Sequence, residues 1–118
     1  MNKKYAYKLR PGHNSSELLI EFTKTGNVND FMEELINLLK KNDFVYKDTS
    51  DIWMNDEIWI NLNSDKGKIT ITKDIWDFVF ILGEQNQRDI ISIDKILIES
   101  GNYEKENVDF SEYNFDKK

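Results

Sequence analysis

The chain has 118 residues, no cysteine, one histidine, one proline and a formal net charge of -6. Hydrophobic residues make up 39% and aromatics 13%, enough for the core of one domain, so wholesale disorder is excluded. A cysteine-free chain has no disulfide scaffold, thiol nucleophile or thiolate metal site, and a pI near 4.8 argues against a general nucleic-acid binder.

Residues 3–10 alternate polar and apolar side chains, as an edge strand guarded by lysines does. Pro11-Gly12 breaks the pattern and 13–16 read as loop. Residues 17–24 predict a second strand, ended at Gly26-Asn27. From Val28 to Lys41 the apolar positions Val28, Phe31, Met32, Leu35, Ile36, Leu38 and Leu39 recur at helical spacing. Asn27 or Asn29 can cap this helix, Asp30 and Lys40-Lys41 suit its dipole, and Asn42-Asp43 stops it. Residues 44–47 read as a strand. Residues 57–63 and 68–73 alternate around Ser64-Asp65-Lys66-Gly67, the clearest hairpin in the chain. Residues 75–82 are rich in β-branched and aromatic side chains and predict a central strand buried on both faces, with Trp76 packed inside. A second helix fits Gln87 to Ser100, capped by Asn86 and stopped by Gly101, with Asp94 as a polar gap beside Ile90, Ile93 and Leu97. Residues 102–118 have no period and read as an irregular acidic and aromatic arm. The expected architecture is a single α+β domain, a two-layer sandwich in which a mainly antiparallel sheet carries two helices on one face.

No apolar run approaches the ~20 residues that span a bilayer. Met1-Asn2-Lys3-Lys4-Tyr5 also lacks the apolar core of a signal peptide, so a cytoplasmic chain without membrane contact is expected.

The pattern carries little chemistry. His13 stands beside Ser15 and Ser16, but nothing around them specifies an orienting acid or an oxyanion hole. One histidine and no cysteine suit zinc poorly. The acidic stretches lack the spacing of a calcium loop, and the glycines are too scattered to cradle a phosphate. Asp77, inside the apolar run, is edge-facing, paired with a lysine, or held protonated. No catalytic residue, cofactor or metal is expected.

Charge is distributed unevenly. Residues 1–47 sum to +2 and residues 48–118 to -8. Between Asp48 and Asp65 there are five acids and no base, interleaved with Trp53 and Trp59. Between Glu99 and Asp116 there are six acids against Lys105, interleaved with Tyr103, Phe110, Tyr113 and Phe115. Rings supply contact area and carboxylates supply steering, so the combination suits docking of a basic protein. Alternation places Trp59 with Glu57, Asn61 and Asn63, opposite Ile58, Ile60 and Leu62, hence on the open side of the sheet. In general character the chain resembles bacterial immunity proteins: small, acidic, cysteine-free, α+β, with exposed Trp and carboxylates. That resemblance implies a cognate toxin or basic enzyme whose cationic site is covered by acids in place of substrate phosphates. The expected contact residues are Asp51, Trp53, Asp56, Glu57 and Trp59, flanked by Glu104, Glu106 and Asp109. The alternative is a non-catalytic structural or regulatory subunit that pairs with itself as a homodimer through the open sheet face.

Overall fold

A computed structural model describes residues 4–12, 17–52, 56–83 and 85–109. In chain order the elements are β1 (Tyr5–Pro11), β2 (Leu18–Lys24), α1 (Val28–Lys41), β3 (Val45–Ile52), β4 (Glu57–Ser64), β5 (Gly67–Lys73), β6 (Val79–Leu82), α2 (Gln87–Ser100) and β7 (Tyr103–Lys105). The strands form one mixed sheet in the order β3-β4-β5-β6-β2-β1-β7. Neighbours run antiparallel except β7, which joins β1 in parallel, with Tyr5 opposite Tyr103. Together with the two helices lying on the sheet, this is an α+β fold.

Both helices have the bounds expected from their periodicity. The Asn27 side chain accepts the Asp30 amide at 3.1 Å, which caps α1, and the chain leaves the helix through Asn42 and Asp43, the latter at φ 74°. The Asn86 side chain caps α2, and Gly101 ends it at φ 84°, a conformation a Cβ would strain. Phe31, Leu35 and Leu39 of α1 and Ile90, Ile93 and Leu97 of α2 are buried against Tyr5, Tyr7, Ile20, Phe22, Leu62, Ile69, Ile71, Val79 and Ile81 of the sheet. The sheet's contribution follows the two-residue alternation of its strands. Tyr5 meets Phe31 of α1 edge to face at 4.9 Å, and Tyr7 on the same face of β1 donates to Asp94 of α2 at 2.7 Å. The Asp94 gap in the helical stripe is therefore a buried partner for a buried phenol. Its other oxygen accepts from Lys105 at 3.0 Å, which ties β7 to α2. Burial, and secondarily the bond to Asp94, pushes the Tyr7 hydroxyl well above the ordinary phenol range. At the edge of α1, Glu34 accepts from Tyr5 at 2.7 Å, Asn102 at 3.2 Å and Lys4 at 3.4 Å. The Tyr5 bond is the largest cause that holds its carboxyl below the usual range.

Four expectations change. The strand read as an edge over 3–10 is β1, which is paired on both sides, by β2 and, over Tyr5–Tyr7, by β7. The short strand over 44–47 is the start of an eight-residue edge strand that runs through Asp48 and Asp51 to Ile52. Residues 103–105 of the expected irregular arm form a strand, because β1 has an unpaired side that the chain meets directly after α2. The run 75–82 is not one strand. β6 covers only Val79–Leu82, the middle strand of the sheet, and residues 75–78 form a turn that leaves Trp76 75% exposed.

Candidate interaction surface

Two acids share the face of Trp59, Glu57 on β4 and Asp48 on β3, which is opposite Asn61. Asp51 lies exposed on β3, opposite Ile58 of β4 and so on the other face of the sheet from Trp59. Asp56 is exposed at φ 54°, a left-handed position that a short polar side chain tolerates better than most. Glu57 and Trp59, two residues apart, share the face of β4 turned away from the buried Ile60 and Leu62. The Glu57 carboxylate accepts the indole N–H at 2.9 Å, so the ring is held while it stays 42% exposed. Beside it a ladder crosses three strands. The Asn61 side chain donates to Asp48 at 2.7 Å, and Thr70 donates to Asn61 at 2.8 Å.

Trp59 also walls an open concavity of about 570 Å³ whose floor includes Thr70, Thr72 and Leu82. Its far side is the β6–α2 connection at Gly83 and Asn86. A Cβ on Gly83 would stand 3.0 Å from the Asn86 carbonyl and 3.1 Å from Ile90, so only glycine lets this connection lie so close to α2. The Asn86 amide donates to Asp89, which is 2% exposed and also bonded to Ser64. The N-terminus of α2 is thus already matched by an acid of its own. Lys68 is the cation on the rim.

The structure brings Asp51, Asp56, Glu57 and Trp59 to one end of the sheet. It does not bring Glu104 and Glu106 to them. Glu104 is exposed on β7, and Glu106 follows, its amide bonded to the Tyr7 carbonyl at 2.8 Å. Glu57 and Trp59 on β4 are five strands from β7 in the sheet, so this second acidic group stands about 24 Å away along the sheet at ~4.8 Å per strand. Trp53 lies outside the described residues, as do His13, Phe110, Tyr113 and Phe115.

Sequence reasoning missed the turn from Asp74 to Phe78. Ile75, Trp76 and Phe78 are 57%, 75% and 55% exposed. Asp74 makes the turn: its carboxylate accepts the amides of Trp76 and Phe78, each at 3.0 Å. Its backbone carbonyl accepts the Asp77 amide at 3.0 Å, and Asp77 sits at φ 65°. Of the alternatives for Asp77, the structure has the lysine pair, with Lys73 at 3.0 Å. Two aspartates within four residues were the available turn signal, outweighed by the apolar side chains between them. Because Ile58 is opposite Lys73, this turn leaves the sheet beside the one that precedes β4.

Among the described residues no three metal-ligating side chains come together, and no helix is long and apolar enough to cross a membrane. The chain matches no protein-family model, and neither curated proteins nor solved structures yield a similar one.

Proposed function

We propose that the protein is an acidic binding module of the immunity type, which neutralises a basic toxin or enzyme by covering its cationic site. The observation that carries this is the half-exposed Trp59, held by Glu57 and sharing its face with Asp48, at an end of the sheet where Asp51 and Asp56 are also exposed. In the two-layer, mainly antiparallel arrangement the helices occupy one face, and Trp59 stands on the other. A ring fixed by its own N–H loses little freedom on docking, and exposed carboxylates accelerate encounter with a cationic surface. The acids then stand where an anionic substrate would, and Glu104, Glu106 and Asp109 extend the field at the far edge.

The test is a pull-down from lysate of the source cells at low and high salt, followed by titration of the purified partner. A basic protein released by salt is expected. Trp59→Ala and Glu57→Ala should each weaken it, the Trp change by about 2 kcal/mol or more. Binding unchanged by both substitutions would refute the proposal. A second copy is the alternative occupant, favoured by Val45 and Tyr46, which are 66% and 45% exposed on the edge strand β3. Sedimentation of the free protein separates the two, since only self-association gives a dimer without a partner.

A further inference from the structure

We infer that the β5–β6 turn is the anchor of this interface, inserting Ile75, Trp76 and Phe78 into an apolar pocket rimmed by cationic side chains on the partner protein. The inference rests on the basic-partner proposal above and names the part of that partner which is gripped.

Single exposed apolar residues are ordinary, but three within four positions of one turn are not, and such a concentration of exposed apolar surface marks a contact surface. The turn that carries them is closed by its own hydrogen bonds. The amides of Trp76 and Phe78 end on the Asp74 carboxylate, that of Asp77 on the Asp74 carbonyl, and that of Asp74 on the Phe78 carbonyl at 3.2 Å. Burying the tip therefore strands none of these four donors, and little conformational freedom remains to be lost. Its two acids are also engaged, Asp74 by amides and Asp77 by Lys73. A loop that needed only to be solvated would have no use for this combination.

Charge identifies the occupant. Asp51, Asp56 and Glu57 stand on the adjoining hairpin, and Lys73 is already paired with Asp77. A pocket that receives the tip brings its rim against these acids, so a cationic rim is attracted and an acidic one repelled. The same acids, on a chain of net charge -6, oppose the anionic surface of a membrane.

The experiment places a photo-reactive benzoylphenylalanine at position 76 of the full chain and irradiates it in source-cell lysate. Capture only identifies the ligand; the captured protein, purified, is then titrated with variants. Trp76→Ala is expected to weaken binding about 30-fold through faster dissociation. Asp56→Asn with Glu57→Gln should mainly slow association and flatten its salt dependence. Loss of binding with Trp59→Ala but not with Trp76→Ala would overturn the anchor and leave the acidic module standing. Sensitivity to Trp76→Ala without salt dependence would keep the anchor and refute the basic partner. Cross-linking to no other protein, or only to a second copy, overturns the anchor. So does Trp76-dependent binding to phosphatidylcholine–phosphatidylglycerol vesicles.

Discussion

Two groups of large apolar side chains meet opposite fates in this molecule. Tyr5, Phe22, Phe31 and Tyr103 pack ring against ring beneath α1, with centroid separations of 4.8–6.4 Å, and each is at most 5% exposed. Ile75, Trp76 and Phe78 crowd a shorter stretch of chain and are more than half exposed. Hydrophobicity does not separate them. The first group comes from β1, β2, α1 and β7, whose backbones are paired within the sheet or helix and whose alternation or periodicity points inward. The second sits where Asp74 draws the amides of the next residues onto itself, so the backbone turns before the sheet can take it up. In these two groups burial follows the backbone's commitment to an element that faces the core, not the hydrophobicity of the side chain.

The sharpest test of the buried group is Phe31→Ala. Phe31 is fully buried and touches Tyr5, Phe22 and Tyr103. Its removal should cost about 3–5 kcal/mol, read as a lower urea midpoint at unchanged slope. A loss below about 1 kcal/mol would mean that α1 does not seal this cluster.

Within the buried group, two phenols sharpen the comparison because one is partnered and the other is not. The Tyr7 hydroxyl donates to Asp94 at 2.7 Å, whereas the buried Tyr103 hydroxyl finds no partner among the described residues. Tyr7→Phe should cost about 1–3 kcal/mol, since the Asp94 oxygen loses its donor. Tyr103→Phe should be neutral or stabilising by up to about 1 kcal/mol, because it removes a desolvated hydroxyl that gains nothing. Both hydroxyls are raised above the ordinary value of 10.0, by burial first and Asp94 or Glu34 next. Above pH 10 the unfolded chain therefore gives up these protons before the folded one does. Their contribution to stability is constant below pH 10 and falls as pH rises above it, by about 1.4 kcal/mol per pH unit for each phenol. Urea melts from pH 8 to 11 should show that fall, and each Phe variant should reduce its slope.

What was legible in the sequence follows the same division. α1 and α2 were legible to the residue because period, cap and stop agree at Asn27, Asp30, Asn42, Asn86 and Gly101. The β4–β5 hairpin was legible because alternation brackets a short polar turn. β7 was not, because three residues carry no period and their place is set by the free side of β1. Asp94 showed only as a gap, since its partner Tyr7 lies 87 positions away. Of the candidate contact residues, Trp59 was placed correctly from alternation alone. Glu104, Glu106 and Asp109 were grouped with it by charge, which carries no information about strand order.

Asp74→Ala acts on the device that keeps the second group outside. The substitution removes the acceptor of the Trp76 and Phe78 amides. Both groups are exposed and can turn to water, so the cost to stability should be about 0.5–1.5 kcal/mol. Amide exchange at 76 and 78 should quicken more than at Val79, where β6 begins. Equal quickening throughout β6 would mean that the turn and the strand open as one unit.

Trp76→Ala should have the smallest effect on the folded chain. With 75% of the residue exposed, there is no cavity to leave and little contact to lose, so stability should stay within about 0.5 kcal/mol. That is the reverse of Phe31→Ala, although tryptophan is the larger side chain. A loss near 2 kcal/mol would mean that the ring packs on its own chain. The ring would then belong with the buried group, and only Ile75 and Phe78 would be left for a partner's pocket to grip. Unchanged stability leaves the ring without a structural duty, so any defect that Trp76→Ala shows in binding belongs to the contact itself.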